Sequence, residues 1–385
     1  MQPYALEAHQ PDKHRQAAGP VFILADDLTG ACDSAVAFLA AGRSVRVVLD
    51  IASLDQTAPP TGPVLAISTE SRNLTQHEAA EQVARTMTLL RSRASHPIFF
   101  KKIDSAARGH IGPETSAALD AAGAVIALVA PAFPQAGRTV LNGILKIRDA
   151  ANQNTTVSLR DSFPNIDSTQ IATIAVGAVS ALEQGIAQAI ASGIRILLCD
   201  AQTQSDLERL AAAASRLPQP ILWTGSAGLA HALAATLPRS TQTKPITPSR
   251  PGRTLLFVGT DHPVTTLQVS HLVGHAHTLP HAIHQIDWTT PSPRNITAAF
   301  AAQPTAALVL TGGETAAFVL RALDASSILL AGEVAPGIPW GILEGGVAGG
   351  CMVVTKSGGF GPRDALVHIF AFCKEICTRR ACAPA

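Results

Sequence analysis

The chain has 385 residues, a formal net charge of +1, 47% hydrophobic residues and 15% charged residues. That near-neutral balance gives no grounds for a nucleic-acid or anionic-membrane partner. No apolar run reaches the ~18 residues needed to span a bilayer, and the composition fills large cores rather than disordered chain.

At this length two domains are the expectation. Residues 1–20 are polar, carry no apolar leader segment and read as a flexible N-terminal extension, which makes the cytoplasm the expected location. Residues 21–24 form a short apolar run that stops at Asp26-Asp27. Thr29-Gly30 follow, and then an Ala-rich stretch, 31–41, with helical periodicity. Further β-rich runs lie at 43–49 and 64–68. This is strand–loop–helix–strand, the opening of a doubly wound sheet, in which ligands sit beyond the carboxyl ends of the strands.

The alternation continues with a strand at 98–103, a helix at 112–122 and a strand at 125–130. A long Ala-rich helical region, one helix or two, is expected over 169–192, then a strand at 195–199, a helix at 205–215 and a strand at 220–224. The stretch 241–253 is rich in Pro, Thr and Ser, cannot build a core and is the expected linker. It divides a first domain, 21–240, from a second, 254–385, where strands recur at 254–258, 306–310 and 352–355. The predicted class is therefore α/β, with two domains, each a largely parallel sheet flanked by helices, and an active site in the cleft between them.

Polar loops interrupt these strand ends. Asp26 and Asp27 stand beside a helix N-terminus; one Asp suffices as a cap, so the pair can accept a proton, hold a cation or bind hydroxyls. Arg72 offers a planar fork for a carboxylate. After 98–100 come Lys101, Lys102, Ile103 and Asp104, then Arg108. Alternation puts the two lysines on opposite faces and Lys102 with Asp104 on one face. A further loop, 131–138, carries Arg138 and is followed by Asn142-Gly143, a wall with one cationic contact or a simple turn.

In the second domain, Thr260 and His262 follow a strand. Gly312, Gly313, Glu314 and Thr315 open a helix whose bare N–H groups suit a phosphate. Lys356 precedes another Gly-rich loop containing Gly358 and Gly359. No P-loop pattern is present, and Gly-x-Gly-x-x-Gly at a first βα turn is absent. The histidines 271, 275, 277, 281 and 284, and the six cysteines, fit no compact metal-ligand spacing.

The stretches ADDLTGACDSA (25–35), KKIDSAARGHIGPE (101–114), PAFPQAGRTVLNG (131–143), TGGETAAFVL (311–320) and KSGGFGPRDAL (356–366), in this order, resemble the four-carbon acid sugar kinase family. The resemblance implies an N-terminal sugar-acid-binding domain, a C-terminal ATP-binding domain and phosphorylation of a terminal hydroxyl. Asp26, Arg72 and 101–104 fall where the family binds its acid. Thr260, Gly312 to Thr315 and Gly358 fall where it binds ATP. Leu28 and the segment GTDHPVT (259–265) look more like the D-threonate or D-erythronate branch than the 3-oxo-tetronate branch. Ala106-Ala107 departs from the pattern, and Thr260 replaces the usual Ser while keeping its hydroxyl.

Phosphoryl transfer needs positioning and charge neutralisation. Asp26 or Asp104 is then the expected proton acceptor, with Lys102 and Arg72 holding the acid carboxylate or the transferring phosphoryl, and Mg²⁺ bridging the ATP phosphates. The expected partners are the acid and ATP, with a homodimer as the assembly. A dehydrogenase with an unusual dinucleotide site and a non-catalytic acid-binding protein stand as rival readings.

Overall fold

A computed structural model describes residues 19–49, 51, 64–148, 153–239, 246–275 and 282–379. Residues 1–18 of the N-terminal extension, residues 241–245 of the linker, His277, His281 and Cys382 lie outside the described residues. In chain order the first part contains β1 (Val21–Ala25), α1 (Leu28–Ala35), β2 (Val45–Val48), β3 (Val64–Ser68), α2 (Gln76–Arg91), β4 (Ile98–Lys102), α3 (Ile111–Ala122) and β5 (Ile126–Ala130). An antiparallel meander follows, of β6 (Arg138–Leu141), β7 (Ile144–Arg148) and β8 (Asn154–Ser158). Then come β9 (Ile171–Ile174), α4 (Val179–Ala191), β10 (Ile196–Cys199), α5 (Gln204–Ala214), β11 (Ile221–Gly225) and α6 (Ala227–Thr236).

The second part has β12 (Arg253–Val258), α7 (Pro263–Val273), β13 (Ala282–Gln285), α8 (Pro293–Ala301), β14 (Thr305–Thr311), α9 (Gly313–Ala322), β15 (Ser327–Ala335), β16 (Ile338–Glu344), β17 (Met352–Lys356) and α10 (Ala365–Arg379).

Both parts are α/β, as expected. In the first, β2-β3-β1-β4-β11-β5-β10-β9 run parallel. β1, β3 and β5 are buried along their whole length, which is why they read as near-continuous apolar runs rather than as an alternation. In the second, β13-β12-β14-β17 are parallel and the hairpin β15–β16 is antiparallel. The two sheets join edge to edge. β15 pairs antiparallel with β2, matching Ser327 to Val48 and Leu329 to Arg46, so one 14-stranded sheet runs through the molecule. Arg46 clamps this seam through two bonds to Glu344, at 2.7 and 3.1 Å.

One expected element is corrected. The helix predicted over 169–192 is strand β9 followed by the shorter α4. Ile171, Thr173 and Ile174 are β-branched and favour the sheet edge, and Gly177 separates them from the Ala-rich helix.

Candidate active site

The carboxyl ends of β1, β3, β4, β12, β14 and β17 open into one cleft of about 760 Å³. Asp26 and Asp27 end β1. Asp27 is the N-cap of α1, its Oδ1 accepting from the Gly30 N–H at 2.7 Å, so the structural role needs only one of the two. Asp26 is left over and is 3% exposed. Its Oδ2 accepts from Arg72 Nε at 2.8 Å, while its Oδ1 is buried with no hydrogen-bond partner among the described residues. A buried carboxylate oxygen without a partner is costly unless a ligand supplies one.

Arg72 is a hub. Besides Asp26 it holds Asp27 Oδ2 through Nη1 at 2.8 Å and Asp104 Oδ2 through Nη2 at 3.4 Å. Burial lowers its pKa, but Asp27 and Asp26 outweigh burial and leave it above the usual arginine range. The expected fork for a ligand carboxylate is therefore engaged by three aspartates, and Arg72 fixes their geometry. Asp104 is also gripped by Arg108, at 3.1 and 2.6 Å, and accepts from the Ala106 N–H at 2.8 Å. Burial raises its pKa, but the Arg108 hydrogen bonds and charge, with Arg72 and Lys102, hold it well below the usual carboxylate range.

The two lysines part as alternation requires. Lys102 lines the cleft, its Nζ 2.9 Å from where a Cβ on Gly30 would stand. Its Nζ makes no hydrogen bond or ion pair among the described residues. Lys101 points the other way, fully buried, with Nζ 2.7 Å from Glu114 Oε2 and 2.9 Å from the Lys102 carbonyl. Ile103 is 2% exposed and packs in the core. Neither Lys101 nor Ile103 lines the cleft; strand period and burial turn both side chains away from it.

The opposite wall comes from the second part. Gly312 caps α9, and Gly313, Glu314 and Thr315 form its first turn, facing the cleft. The walls touch: a Cβ on Gly313 would lie 2.8 Å from Asp27 Oδ2, and Asn73 Nδ2 donates to Glu314 Oε1 at 2.8 Å. Only glycine at 313 lets the α9 amides come this close to Asp27.

His262 is the N-cap of α7, its Nδ1 accepting from the Val264 N–H at 3.2 Å. That bond leaves the proton on Nε2, which lies 3.0 Å from where a Cβ on Gly359 would stand. Thr260 Oγ1 accepts from the His262 N–H at 3.2 Å. The loop after β17 is drawn down by its carbonyls. Lys356 Nζ donates to those of Ser357, Gly358 and Phe360 at 2.9, 3.4 and 3.1 Å, and Thr265 Oγ1 to that of Gly358 at 2.7 Å. Lys356 is fully buried beneath this loop, and burial lowers its pKa to about 8. With the carbonyls engaged, the amides of Gly358 and Gly359 are the groups left to meet an anion.

The cleft also recruits residues that the sequence did not single out. Asp33 sits on α1, two turns beyond Asp26, and burial pushes its pKa up to about 6 despite Lys102. A raised folded-state pKa means the folded protein binds this proton more tightly than the unfolded chain, so the group costs stability as pH rises from about 4 through 6. Asp33→Asn should therefore gain in melting temperature over the wild type between pH 4 and pH 7 in paired thermal scans. A constant offset across that range would show that Asp33 titrates normally. Trp288, Phe360, Asn73 and Thr355 line the cleft as well. Trp288, which is far in sequence from any Gly-rich loop, gives no sequence signal of such a position.

Two family models match: a sugar-binding N-terminal domain over residues 21–233 and a nucleotide-binding C-terminal domain over 293–366. The chain is 32% identical to a D-threonate kinase of Bordetella bronchiseptica, over 91% of this chain and 96% of that one. It is 27% identical to a 3-oxo-tetronate kinase of Pseudomonas fluorescens, over 89% and 94%. A solved structure from Salmonella typhimurium LT2 superposes with a TM-score of 0.70 at 20% identity, covering 91% of this chain and 98% of the other, and shares the fold. No helix of the described residues is long and apolar enough to cross a membrane.

Proposed function

We infer the function from a premise that the comparisons supply: the chain belongs to the four-carbon acid sugar kinase family. We propose that it transfers the γ-phosphoryl group of ATP to the terminal hydroxyl of a four-carbon sugar acid, D-threonate before D-erythronate, giving the 4-phosphate. One observation carries this reading: a buried carboxylate oxygen and an ammonium, both without a hydrogen-bond partner among the described residues, face a helix N-terminus and a second bare-glycine loop across the cleft.

Asp26 is the proton acceptor. Its Oδ1 is open to a substrate hydroxyl, and Arg72 fixes its orientation. Asp104 is set aside as the base, since Arg108 and Arg72 keep it ionised and engaged. Lys102 meets the acid carboxylate or the transferring phosphoryl. Thr260, His262, Gly312 to Thr315 and Gly358-Gly359 form the nucleotide wall.

Mg²⁺ takes one or two carboxylates together with phosphate oxygens. Asp27 fits that demand, since its Oδ2 already faces Gly313 and the α9 amides. A bound ion would neutralise charge on the phosphates. The domains are proposed as 21–240 and 254–385 about a 241–253 linker.

The test is ADP release with ATP and Mg²⁺ against D-threonate, D-erythronate, L-threonate and 3-oxo-tetronate. Turnover of D-threonate well above the others is expected. Preference for 3-oxo-tetronate would move the chain to the second branch, which the Pseudomonas fluorescens relative favours. Folded protein that turns over none of these acids would sink the kinase reading. Lys102→Met should raise the acid KM or lower kcat by about 10- to 100-fold, the worth of a charge-assisted hydrogen bond, with ATP binding intact. Unchanged kinetics would remove Lys102 from the site.

A further inference from the structure

Trp288 lies outside the matched nucleotide-binding segment, on the loop between β13 and α8, and has no role in the chemistry above. Among the described residues, the large apolar side chains that are strongly exposed include Val125, Leu141, Ile144, Leu267, Val273, Trp288 and Val347; of these only Trp288 lines the cleft. It is 39% exposed, whereas Trp223 and Trp340 are buried.

The indole is not loose. Its ring packs on Phe318 of α9 with centroids 5.4 Å apart, and its Nε1–H donates to the Gly259 carbonyl. One side is thus fixed by the second domain while the rest looks into the cleft. Gly259 joins this ring to the phosphate wall: a Cβ there would lie 2.4 Å from Thr315 Oγ1 and 3.0 Å from the indole. The indole and the first turn of α9 are therefore adjoining surfaces. A rigid, partly exposed indole in a polar cleft is costly to leave in water and has the chemistry to stack on a flat π-face.

The geometry points to Trp288 as the platform for the base of the nucleotide, a purine stacked on the indole with its phosphates running onto Gly312 to Thr315. This assignment rests on the nucleotide-binding reading of the second domain. The four-carbon acid carries no aromatic ring to stack on the indole. Stacking is tolerant of base identity, so GTP should share part of the effect.

The experiment compares a ligand that carries a base, ADP, with one that does not, inorganic tripolyphosphate, by calorimetry and by tryptophan emission on the full chain. In the wild type, ADP should quench the emission and tripolyphosphate should not. Trp288→Phe should keep ADP affinity within about threefold and abolish the quench. Trp288→Ala should weaken ADP by about tenfold or more, with tripolyphosphate affinity and the acid KM unchanged. Wild-type ADP affinity in Trp288→Ala would overturn the platform. An equal loss for ADP and tripolyphosphate would also overturn it, making the indole a prop for the Gly259 loop. A wild type that binds neither ADP nor ATP would overturn the nucleotide reading itself, before any variant is made.

Discussion

Asp26→Asn should lower kcat by about 10²- to 10⁴-fold, the usual contribution of a positioned general base, with the KM for ATP near its wild-type value. The substitution keeps the volume and keeps an oxygen for Arg72, whose Nε now lies 2.8 Å from Asp26 Oδ2. What it removes is the carboxylate Oδ1, which has no hydrogen-bond partner among the described residues. Because that oxygen lacks a partner, the variant should fold with a melting temperature at or above that of the wild type. Steady-state kinetics beside a thermal scan separate the two effects. Full activity would exclude Asp26 as the base. Activity lost together with a collapsed melting temperature would make the carboxylate a structural partner of Arg72 instead.

Lys101→Met should destabilise the fold by about 3–5 kcal/mol, because removing one partner of a buried ion pair strands the other charge. Lys101 and Glu114 are 0% and 2% exposed in their side chains and 2.7 Å apart. Glu114 Oε1 also accepts from Ser71 Oγ at 2.7 Å, so the pair ties β4, which ends at Lys102 just before Asp104, to α3 and to the loop that carries Arg72. The double variant Lys101→Met/Glu114→Leu removes both charges and should recover most of the loss; Ser71 retains Thr69 as a partner at 2.8 Å. Urea melts of the single and double variants measure this directly. Equal stability of Lys101→Met and wild type would refute the buried pair, and a fallen acid affinity in a stable variant would return Lys101 to the substrate site.

Much of this molecule was legible in its residues because the signals are local. Buried parallel strands such as β1 and β5 are apolar throughout, and β3 is apolar up to its last residue, so length and flanking turns suffice to find them. The same holds for Asp26-Asp27 at a strand end and for Gly312-Gly313 opening α9, since backbone sterics and helix capping act within a few residues. Period 2 alone separated Lys101 from Lys102.

Which of those lysines lines the cleft was decided by the tertiary structure, because it depends on which face of β4 is covered by α3 and which is left open. The engagement of Arg72 by three aspartates depends on partners up to 46 residues away. The β2–β15 seam joins segments about 280 residues apart, and neither strand records its partner in its own pattern. The Ala-rich stretch before α4 misled for the converse reason. Local helix propensity there is weaker than the hydrogen bonds that a sheet edge offers Ile171 to Ile174. Trp288 reaches the cleft only because Gly259 and Phe318 hold it there. The sequence by itself determined the elements and the loops able to do chemistry; packing over long sequence separations decided which side chains those loops leave free to act.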